Sequence, residues 1–362
     1  MDKSGLQEYM ESTEYIVGPD DRILVTGATG FIASRLVDRL LEMGFRKIRC
    51  LVRHSSRPDK VDALGSRMNG GDVEVMRGNL LSREDCVKAA ENAAVIFHLA
   101  AGRGVKSFPD AFMNSAVTTR NLLDAVKLHQ CLKRFVNVSS FAVYSNVNKP
   151  HGRTLDESCP IERHPELRAD AYAFAKLKQD ELVQEYSQKF GIPLVIVRPG
   201  WVYGPGNESI SGRVGLGSFG IFLHLGGSNR IPLSYVDNCA EAIARAGLLK
   251  GIDGNVFNIV DDDLPTSRQF LRLYKKKVRK FSSLYLPHLV SYSLCYLWEK
   301  YSKWSEGQLP PVYCRKTWHA SWKTTRYSNA KLKELVGWKP RVPTSEGLAR
   351  YFEAARSKVE HA

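Results

Sequence analysis

The sequence predicts an α/β fold built on one doubly wound parallel sheet, and three observations predict it. From residue 22 onward, short apolar runs alternate with stretches of helical periodicity. The runs are nearly continuous in Val, Ile, Leu and Phe, as strands covered on both faces must be. The first run ends in a glycine-punctuated turn that opens directly into a helix, the start of a βαβ series.

The elements follow in order. "RILVTG" reads as the first strand, and "FIASRLVDRLLEMG" as a helix with apolar residues at helical spacing, closed by a glycine. "KIRCLVR" and "VEVMRGN" give the second and third strands, "AVIFHLAA" the fourth, "RFVNVSS" the fifth and "PLVIVRPG" the sixth. After about residue 200 the alternation loosens into Gly-rich loops and aromatic patches. The expected organisation is an N-terminal extension over 1–20, a dinucleotide-binding part over 21–200 and a smaller substrate-binding part over 201–355. That last part is interleaved with the sheet, some of its strands returning to it. There is no internal repeat and no low-complexity segment.

Bulk properties narrow the function. The 362 residues are 43% hydrophobic and 25% charged, ordinary for a soluble globular protein. The formal net charge of +14 points to anions: phosphorylated cofactors, nucleic acid or an anionic membrane. No Cys/His set is spaced as metal ligands, and no aromatic-rich basic stripe marks a nucleic-acid platform, so that partner rests on charge alone. Seven scattered cysteines, an odd number, suit reduced thiols in a cytoplasmic compartment. The polar, acidic segment over 1–20 has no apolar core and is not read as a secretory signal. "FSSLYLPHLVSYSLCYLW" (281–298) is broken by Pro287 and several serines, which disfavours a spanning helix. An amphipathic helix is expected there, and with the basic run "RLYKKKVRK" (272–280) before it, peripheral membrane contact through 272–298 is a second expectation.

"ILVTGATGFIASRL" sets Gly27, Gly30 and Ala33 between the first strand and helix, a variant of the Rossmann-type spacing. Glycines let the backbone approach a pyrophosphate, and the helix N-terminus offers free N–H groups. The second strand ends in Arg53 where an acid would bind a ribose 2′-hydroxyl, and Arg35 lies in the first helix. Two cations suit a 2′-phosphate, so NADP is expected, with NAD as the alternative. Further on, "ADAYAFAKLKQDE" (169–181) places Tyr172 and Lys176 four residues apart, on one face of a helix. Any helix with one Tyr and several Lys can do this by chance; the rest of the chain decides its meaning.

Together the motifs resemble the extended short-chain dehydrogenase/reductase family, also called the NAD-dependent epimerase/dehydratase family, over about residues 22–355. "TGATGFIA", "HLAA" (98–101), "NSAVTTRNLL" (114–123), "VSSFAVY" (138–144), "YAFAK" (172–176), "RPGWVYGPG" (198–206), "YVDN" (235–238) and "GWKPRVPTSEGL" (337–348) stand in the family's order. The resemblance implies that Tyr172 gives or takes a proton at a substrate oxygen. A free phenol, with a pKa near ~10, is a poor base; Lys176 and the nicotinamide charge would lower it, and Lys176 would also hold the ribose. Ser140, with Ser139 as its nearest rival, would bond the substrate oxygen, and Asn114 matches the family's helix asparagine. The implied cofactor contacts are Gly27, Thr29, Gly30, Phe31 and Ile32 at the turn and Arg35 and Arg53 at the ribose. Asn79, where the family usually has Asp, would meet the adenine beside Leu80. Leu99, Ala100 and Ala101 follow the fourth strand, and Pro199 the sixth, with Tyr172 and Lys176 completing the set. A homodimer is common among resembling enzymes.

For the substrate, the implied residues are Ser140, Tyr144, Trp201 and Arg230. Dehydratases of this kind carry an Asp-Glu pair after the catalytic hydroxyl residue; here Phe141 and Ala142 stand there, so dehydration is not expected. Epimerases resembling this chain have an Asn where Trp201 stands, although Arg230 keeps their spacing of seven to Asp237. The aromatic ring and the C-terminal part resemble the 3β-hydroxysteroid dehydrogenase branch, which implies hydride transfer to or from a secondary alcohol or ketone of a bulky, partly hydrophobic substrate. Two alternatives remain: a nucleotide-sugar epimerase with tightly bound NAD, and a non-catalytic cofactor sensor or scaffold.

Overall fold

In a computed structural model, the structure describes residues 15–67, 72–102, 107–148, 150, 152–168, 170–218, 220–306, 308 and 313–361. Most of the expected N-terminal extension, residues 1–14, lies outside them; Tyr15 to Val17 run along the end of a helix, with the Ile16 N–H donating to the Leu248 carbonyl at 2.8 Å.

Seven strands form the central sheet: β1 (Arg22–Thr26), β2 (Lys47–Val52), β3 (Asp72–Arg77), β4 (Ala93–His98), β5 (Arg134–Val138), β6 (Leu194–Pro199) and β7 (Val256–Ile259). They lie in the order β3-β2-β1-β4-β5-β6-β7, every neighbouring pair parallel. Six of the strands are the six apolar runs read from the sequence. The seventh, β7, returns from the C-terminal part and pairs Val256–Ile259 with Ile196–Pro199. All residues of β4, β5 and β6 are buried, which is why these runs carry so little polar alternation.

Helices cover both faces. On one, α1 (Phe31–Glu42) lies against α6 (Val236–Leu248), each turning a buried apolar stripe to the sheet. α2 (Pro58–Gly65) lies beside β3, and on the other face lie α3 (Arg83–Ala90), α4 (Thr118–Val126) and α5 (Ala171–Phe190), around Leu122, Leu123 and Val183. Between β1 and β4 the strand order reverses direction, and a crevice opens at the C-terminal strand ends, where ligands bind in such sheets. A second apolar cluster, built on Tyr203, Tyr235, Phe270 and Tyr351, forms a core for the C-terminal part.

The segment read as one amphipathic helix over 281–298 is divided. A strand, Ser283–Tyr285, pairs with Phe222–His224, and α8 (His288–Trp304) begins after Pro287, whose fixed φ suits a helix entry.

Candidate active site

One cavity of about 970 Å³ runs along the C-terminal strand ends. Its floor is the turn between β1 and α1. Gly27 has φ +68°, and a Cβ there would lie 3.1 Å from the Ala100 nitrogen; one on Gly30 would lie 2.9 Å from the Gly27 carbonyl oxygen. Backbone, not side chains, therefore lines the approach to the N-terminus of α1, as a pyrophosphate requires. Thr29, Phe31, Ile32, Leu99, Ala100 and Ala101 border the same space. A dinucleotide fits this cradle.

At the adenosine end, the cavity wall after β2 holds Arg53, Ser55, Ser56, Arg57 and Lys60, with no carboxylate among the described lining residues there. Arg57 is tied up with Asp59 at 2.7 Å. Asn79 and Leu80 also line the cavity. The Asn79 side-chain oxygen accepts from the Leu81 N–H at 3.0 Å, which leaves its NH₂ for a base edge.

At the other end, Asn114, Ser140, Tyr172 and Lys176 converge on the same cavity. Asn114 sits in a π-helical turn, Met113–Val117, and its amide donates to the Asp110 carbonyl at 2.9 Å. Ser140 begins the 3₁₀ turn Phe141–Val143, its Oγ accepting from the Ala142 N–H; neighbouring Ser139 is buried but also borders the cavity. Tyr172 and Lys176 occupy successive turns of α5, whose start is capped by the Asp170 carboxylate accepting from the Ala173 N–H at 3.0 Å.

A buried polar seam fixes α5. Lys176 donates to the Val138 carbonyl at 2.6 Å and to Gln179 Oε1 at 2.9 Å, leaving its third N–H for a ligand. Gln179 Nε2 donates to Thr119 Oγ1, and that hydroxyl lies 2.8 Å from His98 Nε2. Asp180 accepts from Asn137 of β5 at 2.8 Å and pairs with Arg198 of β6 at 3.1 Å. Burial depresses the Lys176 pKa to about 8, with Asp180 opposing, and depresses that of His98 to about 3.

Burial raises the Tyr172 pKa above its ordinary value, a hydrogen bond with Ser140 pulls it down, and Asp170 and Asp180 push it up again. The Lys176 ammonium is turned to Val138 and Gln179, so the chain alone does not bring the phenol into working range.

Four expected residues lie away from the cavity lining. Tyr144 is turned by the 3₁₀ turn into the core, donating to Asn258 Oδ1 at 2.8 Å beneath the Arg198 guanidinium; burial pushes its pKa to about 12. Arg230 donates to the Leu264 carbonyl and borders a separate shallow depression. Arg35 pairs with Asp237 at 3.5 Å instead of facing the ribose site. Pro199 is buried at the end of β6, and the residue after it, Gly200, lines the cavity. A Cβ on Gly200 would fall 2.2 Å from the Pro232 carbonyl oxygen.

Sequence reading missed two cations, Arg168 and Arg213, which line the cavity with Asn207, Ser211 and Ser321. Arg168 is 4% exposed. Its Nη1 donates to the Ala142 carbonyl at 2.6 Å, and its Nε has no hydrogen-bond partner among the described residues. Burial lowers its pKa; Asp170 opposes this and Arg213 adds to it. Arg213 donates to the Ala320 carbonyl at 2.8 Å. Trp201 borders the cavity too, but its ring is stacked on Tyr203 and set edge-on to Phe270 and Tyr351.

A nicotinamide-dinucleotide cradle opening onto a Ser-Tyr-Lys constellation defines an enzyme of the extended short-chain dehydrogenase/reductase class. The chain belongs to the NAD dependent epimerase/dehydratase family, which matches residues 23–259. It is 25% identical to the 3beta-hydroxysteroid-dehydrogenase/decarboxylase isoform 1 of Arabidopsis thaliana, over 91% of this chain and 79% of that protein. It is 24% identical to the GDP-mannose 3,5-epimerase of the same plant, over 97% of this chain and 86% of that protein. The fold is similar to the crystal structure of UDP-glucuronic acid 4-epimerase from Bacillus cereus in complex with NAD: TM-score 0.69, 23% identity, 93% of this chain and 99% of that one.

Proposed function

We propose that the protein transfers a hydride between a nicotinamide dinucleotide and a secondary alcohol or ketone on a substrate that bears an oxyanion. The observation that carries this reading is the convergence of Ser140, Tyr172 and Lys176 with the Gly27–Gly30 turn in one cavity. Tyr172 exchanges a proton with the substrate oxygen, Ser140 bonds that oxygen, and Lys176 holds the ribose and stabilises the phenolate. When bound, the nicotinamide supplies the hydride acceptor and, in its oxidised form, a positive charge that favours the phenolate further. NADP is the preferred cofactor, on the support of Arg53 just after β2 and Lys60 in the helix that follows, both lining the cavity.

The expectation of a hydrophobic substrate rested on Trp201 and on the resemblance of the C-terminal part, and much of the Trp201 ring packs inside the protein. Arg168 and Arg213 instead favour an oxyanion near the reacting carbon. Both kinds of relative are compatible with this, since a decarboxylase acts on a carboxylate and a nucleotide sugar carries a diphosphate. The likeness to epimerases supports a second reading, in which bound NAD is reduced by the substrate and reoxidised within one turnover. Denaturing the freshly purified protein and identifying the released nucleotide separates the two. An empty protein that takes up NADPH in preference to NADH supports the dehydrogenase; stoichiometric retained NAD(H) overturns it in favour of the epimerase.

A further inference from the structure

The side of α8 turned to solvent is its apolar side. Val290, Leu294, Leu297, Tyr301 and Trp304 follow one another at spacings of four, three, four and three, a single stripe of an α-helix. They are 44, 50, 60, 48 and 76% exposed. The positions that α8 buries against the protein are small: Ser291, Cys295 and Ser302. A surface helix normally does the opposite, placing its large apolar residues inward. The strand that leads into α8 continues the exposed apolar surface, with Leu284 54% and Tyr285 39% exposed. Isolated exposed leucines are ordinary, but a contiguous patch of this kind marks a surface that is covered in use.

The charge beside this patch favours an anionic partner. Helix α7 (Ser267–Lys277) ends in Lys275, Lys276 and Lys277, and Arg279 and Lys280 follow at once. This basic end is seated beside the same strand: Lys275 donates to Ser283 Oγ at 2.6 Å and lies 5.0 Å from the Phe281 ring. Lys300 and Lys303 add charge on α8 itself. Between residues 272 and 304 the only carboxylate is Glu299, which is paired with Arg315 at 2.8 Å.

We infer that this face seats the protein on an anionic membrane surface. α8 lies in the interface plane with its apolar stripe among the acyl chains, and the basic end of α7 meets the lipid headgroups. Among the described residues no helix is long and apolar enough to cross a membrane, so the contact is one of lying on the surface. A second copy of this chain is a poorer occupant, because a two-fold contact through this patch sets two basic runs against each other.

Sedimentation of the full chain with extruded vesicles tests this. With phosphatidylcholine vesicles containing phosphatidylserine, the protein should co-sediment, at least tenfold more than with phosphatidylcholine alone, and salt at several Debye-screening strengths should release it. The triple variant Leu294→Ser, Leu297→Ser, Trp304→Ser removes apolar surface without changing charge. It should lose binding by tenfold or more while its melting temperature and NADPH affinity stay as in the wild type. Lys276→Glu with Lys277→Glu should lose binding to the anionic vesicles alike. Failure to sediment with anionic vesicles, or binding that the serine variant leaves intact, overturns the inference. So does a dimer in light scattering that the serine variant converts to monomer without any vesicle binding.

Discussion

Lys176 is buried, yet the proposed mechanism needs it charged and within reach of the cofactor. Burial puts its pKa at about 8, so the ammonium is intact at pH 7 and is lost as the pH rises through that value. Cofactor affinity should therefore fall above pH 8 in the wild type and be flat with pH in Lys176→Met, measured by fluorescence titration of NADPH. Tyr172→Phe should keep cofactor affinity while turnover drops by about 10²- to 10⁴-fold, read in single-turnover hydride transfer; unchanged turnover would remove the phenol from the mechanism. Arg53→Ala should erase a preference for NADPH over NADH without altering the NADH constant. The Tyr-Lys pair was legible because i and i+4 is a local rule. The direction of Tyr144 was not, since a single 3₁₀ turn decides whether that ring faces ligand or core. Arg168 and Arg213 lie 45 residues apart in irregular segments, and no local spacing announces that tertiary packing brings both to one cavity.

At the scale of elements, α5 is held by polar contacts in an otherwise apolar layer. Asp180 and Arg198 are 1% and 3% exposed, and removing one partner leaves the other charge buried and alone. Asp180→Asn should cost about 3–5 kcal/mol of unfolding free energy, measured by urea denaturation. His98 couples β4 to α4 through Thr119. Its pKa, about 3 in the folded protein against 6.5 unfolded, gives a definite sign: below pH 6.5 the unfolded chain binds the extra proton. Stability is then lost progressively as the pH falls from 6.5 toward 3. His98→Gln should show a shallower decline in melting temperature over that window. The strands β1 to β6 were readable because burial on both faces writes them as unbroken apolar runs. Four-residue β7, lying among loops and joined to the sheet only through a neighbour 60 residues earlier, carries no such mark.

For the molecule as a whole, the cavity draws its walls from the first half of the chain and its far end from residues beyond 200. Cofactor binding should thus raise the melting temperature of the entire protein in one transition, which differential scanning fluorimetry with NADPH would show. The pairing of β7 with β6 also bears on how the chain can be divided. Cutting after residue 200 would strip β6 of its outer neighbour and leave "LVIVRP" as a bare sheet edge, apolar and unguarded by charge until its Arg198. Such an edge recruits strands from other molecules. A fragment ending at residue 200 is therefore expected to aggregate during expression, and so is the nascent chain for as long as the ribosome has yet to deliver residues 256–259.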